Sequence, residues 1–264
     1  MIRSALMTVM TAAAMKAGRG LKRDFGEVEN LQVSMKGPGD FVSAADRKAE
    51  KTLFEELSRA RPGYGFVMEE SGVVEGTDKS HRWHIDPLDG TTNFLHAIPH
   101  FAISIALERD GQIVAGLIYN PATDDLYVAE KGQGAWNNDR RIRVSARRDM
   151  AMALIGCGVP HLGKAAEHPR FKAELAAVMA RAQNVRRMGA ASLDLAYVAA
   201  GRGVARWGAG PQSRGIAGRL ASGEGARGVA TEADGGSEIL LQGTVCCGAE
   251  PIHRELLAIL KSAK

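Results

Sequence analysis

Aromatic residues are scarce in this 264-residue chain, which holds 3 Trp, 4 Tyr and 7 Phe. Its core must therefore rest on Ala, Val, Leu, Ile and Met. No apolar run of about 18 residues occurs, so no transmembrane helix is expected. Cysteine is limited to Cys157, Cys246 and Cys247. An odd count with a vicinal pair argues against a disulfide framework, and the absence of CxxC spacing argues against a zinc site. A reducing, cytoplasmic compartment is expected. Charge of one sign is not massed anywhere. The 34 Lys and Arg against 30 Asp and Glu leave a net charge of +4. Scattered basic residues predict no nucleic-acid surface, though a mild positive field can steer an anionic substrate.

The N-terminal residues 1–17 carry Arg3, an apolar stretch and several alanines, as a secretory leader would. Thr8 and Thr11 interrupt that stretch, and Leu6, Val9, Met10, Ala13 and Ala17 recur at helical spacing. An amphipathic helix is expected instead, closing near Gly18 and Gly20 or running on to Arg23. Residues 31–35 alternate as a strand and residues 37–39 read as a turn. Ser43 can cap a helix over 43–59, in which Ala45, Ala49, Leu53 and Leu57 recur at i+4. Short strands are predicted at 64–68 and 82–85, the second stopping at an acidic motif. Two strands at 101–108 and 112–119 flank Asp110-Gly111, a hairpin signal. Residues 126–129 and 134–137 continue the sheet. A strand at 153–158, helices at 171–182 and 192–200, and a C-terminal helix at 251–261 with Pro in its first turn complete the pattern. Residues 201–228, crowded with Gly, Arg and Ala, show no period and read as a flexible loop.

The chemistry is concentrated in residues 86–94, Asp-Pro-Leu-Asp-Gly-Thr-Thr-Asn-Phe. Pro87 stiffens the chain and Gly90 permits a sharp turn. Such a turn at a strand end can aim the Asp86 and Asp89 carboxylates and the Leu88 carbonyl at one point. Hard oxygen donors at that density suit Mg²⁺ or Mn²⁺. A helix beginning near Thr91 would offer free amides to a phosphate. A metal site beside an anion site is what metal-assisted phosphoryl transfer to water requires. A bare DxxDG is also a common Asx-type turn. The full nine-residue string, preceded by a strand and by Glu69-Glu70 upstream, argues for the functional alternative. His84, His96 and His100 flank the motif and are expected to be structural, because a hard cation prefers oxygen. Cys246 and Cys247 are expected to be packing residues.

Residues 83–94 resemble the first signature of the inositol monophosphatase family. Met68-Glu69-Glu70-Ser71 is similar to that family's Gly-Glu-Glu-Ser element, with Met68 where Gly is usual. Lys36 with residues 40–46 resembles its N-terminal elements, and residues 186–196 resemble its substrate-side segment. The resemblance covers almost the whole chain. It implies an α/β fold, a layered αβαβα sandwich of the sugar-phosphatase type, as one domain with two lobes near 1–150 and 151–264. It implies Mg²⁺-dependent hydrolysis of myo-inositol monophosphate. Glu69, Asp86 and the Leu88 carbonyl would hold a first Mg²⁺, and Asp86 with Asp89 a second. Thr91, oriented by Asp46, would position the attacking water, with Glu69 completing the catalytic set. Leu88, Asp89 and the Gly90 and Thr91 amides would meet the substrate phosphate, while Arg187 and Ala191 would lie beside the inositol ring. A homodimer is implied as well. Sugar bisphosphates, histidinol phosphate and 3′-phosphoadenosine 5′-phosphate are alternative substrates. An RNA-processing or transcription accessory role, known among bacterial relatives, is the alternative from another class.

The chain departs from the family pattern over residues 203–230. The family's second signature, Trp-Asp-x-Ala-Ala-Gly, falls on Arg214-Gly215 in ungapped register from Trp207, so Gly215 stands where a metal-site Asp is expected. Ala226-Arg227-Gly228 replaces Ala-Gly-Gly, and the pattern resumes at residues 231–236. A disturbed block between intact flanks is what compensating reading-frame shifts in the gene would produce. Taken as it stands, the block predicts weakened catalysis and stability.

Overall fold

The computed structural model describes residues 4–27, 33–37, 40–209, 226, 228–236 and 244–263. In chain order the first half carries α1 (Ala5–Phe25), β1 (Val33–Gly37), β2 (Asp40–Ser43), α2 (Ala44–Ala60), β3 (Tyr64–Met68), β4 (Gly72–Val74), β5 (Asp78–Asp89), α3 (Thr91–Leu95), β6 (Ala102–Arg109), β7 (Gln112–Asn120), β8 (Asp125–Glu130), β9 (Gly134–Asn137) and β10 (Arg140–Arg141). The second half carries β11 (Leu154–Gly158), α4 (His168–Met179), β12 (Asn184–Arg186), α5 (Ala191–Ala199), β13 (Ala205–Ala209), β14 (Val229–Thr231), β15 (Thr244–Gly248) and a C-terminal helix (Glu250–Ser262). No described helix is long and apolar enough to cross a membrane.

Strands β3 to β10 form one eight-stranded sheet, ordered β10-β9-β8-β7-β6-β5-β3-β4. A second sheet, ordered β12-β11-β13-β15-β14, stands behind it. Five layers follow from how these faces are covered. Helices α1 and α2 bury Met10, Leu21, Leu53 and Leu57 against Ile103, Ile105, Leu107 and Leu117 of the first sheet. The opposite face of that sheet, with Ala102, Ile118 and Tyr127, packs on Leu193, Ala196 and Val198 of α5. The same layer takes Val245 and Cys247 from the second sheet. The outer face of the second sheet, with Ile155, Cys157, Trp207 and Cys246, is covered by α4 and the C-terminal helix. Cys246 and Cys247 thus point to opposite faces, as adjacent strand residues must, and all three cysteines are buried free thiols. This is the expected αβαβα sandwich.

Helix α1 runs on past both glycines to Phe25. Gly18 does not end it. A Cβ at that position would fall 2.5 Å from the Tyr119 ring, so Gly18 lets the helix close onto β7. Asp110 and Gly111 adopt φ of 51° and 75° and turn β6 into β7 as expected.

Two expectations need correction. Strand β5 does not stop at the acidic motif but includes it to Asp89. Nor is all of 201–228 a flexible loop, because β13 lies at the centre of the second sheet, parallel to β11 and antiparallel to β15. A strand covered on both faces needs no alternation of polar and apolar residues, so period-2 reading passes over it. Arg214 and Gly215 lie outside the described residues.

Candidate active site

The register of β5 explains how one strand aims two carboxylates the same way. Residues three apart in a regular strand face opposite sides. Here Asp86 pairs with Ser104 and Asp89 with Ala102 of β6. Three steps on β5 therefore oppose two on β6, which is a bulge of one extra residue. Pro87 sits in it, where its missing N–H breaks no ladder bond. The extra residue restores the parity, so both aspartates lie on the face turned toward α5. Both are buried, at 2% and 7% exposure. The Asp86 carboxylate folds back to accept the Leu88 amide at 3.1 Å.

Gly90 then turns the chain into α3 with φ of 94°. A Cβ there would lie 3.0 Å from the His100 carbonyl and 3.1 Å from the Ala190 methyl. Only glycine meets both the left-handed backbone and this close approach. The Thr91 hydroxyl lies 3.0 Å from the Leu88 carbonyl and 3.2 Å from Asp46 Oδ1, and can donate to either.

Asp46 is fixed from its own side by a capping box at the start of α2. Its Oδ2 accepts from the Ser43 amide at 2.8 Å and from the Ser43 hydroxyl. Burial pushes the Asp46 carboxyl above its ordinary range, and the Ser43 and Thr91 bonds oppose that shift. Asp46 therefore both caps a helix and holds Thr91. An Asp46→Asn amide can satisfy one side but must turn its NH₂ toward donors on the other. We expect kcat to fall about 100-fold, the low end for a lost acid–base contribution. Stability should fall by about 1 kcal/mol, typical of a lost cap. Steady-state kinetics and thermal unfolding of the same variant check both.

Glu69 follows β3 and is exposed. Because β3 is parallel to β5 with Met68 opposite Ile85, Glu69 comes level with Asp86. The loop is held by buried Glu50 of α2, which accepts from the Glu70 amide at 2.8 Å and from the Ser71 hydroxyl. Among the described residues no three His, Cys, Asp or Glu side chains gather closely enough to form a metal cage. The oxygens that fit a hard cation are instead those at the end of β5. No described protein donor reaches Asp89 Oδ1, whereas Oδ2 accepts from both the amide and the hydroxyl of Ser192. Ser192 thereby occupies one oxygen of this buried carboxylate and leaves the other, whose chemistry suits a hard cation.

Ala191 opens α5 at the edge of this site. Arg187 is exposed on the preceding loop. Its Nη1 lies 3.1 Å from the point where a Gly189 Cβ would stand, beside the Asn93 amide. Two residues that sequence reasoning gave no role connect these parts. Asn93 donates to the His100 carbonyl at 2.7 Å and to the Met188 carbonyl at 2.8 Å, tying the motif to the 186–190 loop. Ser192 binds Asp89 as described. Neither shows in local pattern, because the Asn93–Met188 and Ser192–Asp89 contacts join segments about a hundred residues apart. His84 pairs with Glu108 at 2.6 Å. His100 is held below its ordinary pKa by burial, with the Asp89 charge opposing.

A model of the inositol monophosphatase family matches residues 3–264. The chain belongs to that family. An inositol-1-monophosphatase of Mesorhizobium japonicum is 60% identical over 261 residues, which are 99% of this chain and 98% of that one. The Nus factor SuhB of Escherichia coli K12 is 35% identical over 260 residues, covering 97% of this chain and 96% of that one. Among solved structures, the extragenic suppressor protein suhB of Bartonella henselae superposes with a TM-score of 0.93 at 53% identity, covering 98% of this chain and 99% of that one. The family's fold is therefore the fold of this chain, and its motif at residues 83–94 coincides with the bulged end of β5.

Proposed function

We propose that the chain is a Mg²⁺-dependent phosphatase that hydrolyses myo-inositol monophosphate to inositol and phosphate. The observation that carries this is the bulged end of β5, with the Asp46–Thr91 contact beside it. The family is metal-dependent. Asp86, Asp89, the Leu88 carbonyl and Glu69 are the residues that would hold the cation. When bound, such a cation supplies positive charge to the phosphoryl oxygens and acidity to water.

The chain's own groups supply the rest. Thr91, whose one hydroxyl proton goes to Asp46 or to the Leu88 carbonyl, keeps its oxygen lone pairs available to accept from a water. Thr91 would orient that water for attack on the phosphorus, and no side-chain nucleophile is needed. The Gly90 and Thr91 amides at the start of α3 have no partner within their helix and are available to the phosphate. Arg187 and Ala191 border the polyol from the far side. The homodimeric state and a cytoplasmic location belong to the same proposal.

The far greater identity to an inositol-1-monophosphatase than to a Nus factor favours the enzyme over an accessory role in transcription. Phosphate release from inositol monophosphate, sugar bisphosphates, histidinol phosphate and 3′-phosphoadenosine 5′-phosphate, with and without Mg²⁺, tests the proposal. Mg²⁺-dependent release from inositol monophosphate is expected. Release restricted to the nucleotide would overturn the substrate, and no release from any of them would overturn the activity.

A further inference from the structure

The strongest tie between the acidic motif and the second half of the chain ends on a single carboxylate oxygen. Asp89 Oδ2 accepts from the Ser192 amide at 2.6 Å and from the Ser192 hydroxyl. Ser192 has 0% exposure and stands in the first turn of α5. The entry to α5 is pinned to the motif twice more. Asn93 donates to the Met188 carbonyl, and Gly90 admits the Ala190 methyl.

We infer that Ser192 is a positioning residue that holds Asp89 as a one-oxygen metal ligand. The inference rests on the proposed role of Asp89 as a ligand. The physical argument concerns rotation. An aspartate carboxylate turns easily about its terminal bond. The two donors lie on one helix turn and converge on Oδ2, so rotation would break both bonds. Both bonds are charge-assisted and buried, which makes them strong. Oδ1 is therefore presented in one direction, before any cation arrives. The amide alone would leave the carboxylate one donor and more freedom. Partners of this kind are worth roughly 10–100-fold in metal affinity. The arrangement also makes the geometry of the first sheet's ligand depend on how the middle helix is seated.

The test uses the full chain stripped of metal by chelation and titrated with Mn²⁺, free Mn²⁺ being read by electron paramagnetic resonance. Ser192→Ala should weaken Mn²⁺ binding about 10-fold. The Mg²⁺ concentration for half-maximal activity should rise in step. A merely structural role would lower stability and kcat together and leave metal affinity alone. Asp89→Asn is measured alongside. Weakened binding in Asp89→Asn with parental affinity in Ser192→Ala overturns the inference and leaves Asp89 a ligand. Unchanged affinity in Asp89→Asn removes the ligand reading and the inference with it.

Discussion

Asp86→Asn is expected to lose at least about a thousandfold in kcat while remaining folded. A cation's stabilisation of transition-state charge is worth several kcal/mol, and each 1.36 kcal/mol is tenfold in rate. Asp86 is shared by both of the cation sites that the family resemblance implies, so its loss would weaken each of them. The substitution preserves shape. Asparagine has nearly the same volume, and its carbonyl can still accept the Leu88 amide that Asp86 Oδ1 accepts at 3.1 Å. Removing a charge from a position 2% exposed also lightens a desolvation penalty. The melting temperature should therefore hold or rise. Phosphate release and thermal unfolding of the same preparation check this. Retained turnover would remove Asp86 from the metal set.

The second large effect lies in the buried pair of Arg206 and Asp194. Arg206 leaves β13 on the face opposite Trp207 and enters the layer between the sheets. There its Nε meets Asp194 Oδ2 of α5 at 3.2 Å. The residues are 1% and 6% exposed. Burial lifts the Asp194 carboxyl to about 6, with the Arg206 guanidinium opposing the shift. The pair therefore offsets only part of the desolvation that Asp194 suffers. Arg206→Met leaves a lone buried carboxyl and should destabilise the protein by about 3–5 kcal/mol. For a chain of this size that lowers the melting temperature by roughly 10 °C.

The sign of the pH dependence follows from proton counting. A carboxyl whose folded pKa is raised binds more protons when folded, so its unfavourable contribution is fully present above the folded value and fades as pH falls toward the unfolded value. The loss in Arg206→Met should thus be larger at pH 8 than at pH 5. The double variant Asp194→Leu with Arg206→Met should recover most of the loss, because hydrophobic replacement of a buried pair is often neutral or better. Urea unfolding at both pH values measures all three variants. An Arg206→Met loss below about 1 kcal/mol would place the guanidinium in contact with water.

The features legible in the sequence are those whose cause is local. The Ser43 cap, the Asp110-Gly111 turn and the carboxylates of 86–89 each depend on neighbours a few residues away. Composition and period find them. Strand β13 was not legible, since both its faces are covered and it sets Arg206 between Ala205 and Trp207. Asn93 stood inside the motif, yet its purpose depends on a carbonyl 95 residues on. Ser192 read as an ordinary helix residue until α5 was set against β5.

The sequence by itself determined the donor chemistry: two aspartates, a threonine and a glycine at a spacing that suits a hard cation and a phosphate. Only the tertiary structure decided how those donors are aimed. Asp86 and Asp89 share a face because β6 pairs across a bulge, and that pairing is not written in residues 86–89. Asp89 has one oxygen left over because α5 occupies the other. Chemical identity belongs to single residues, whereas direction belongs to the layers that hold them, and those layers meet only when distant segments fold together.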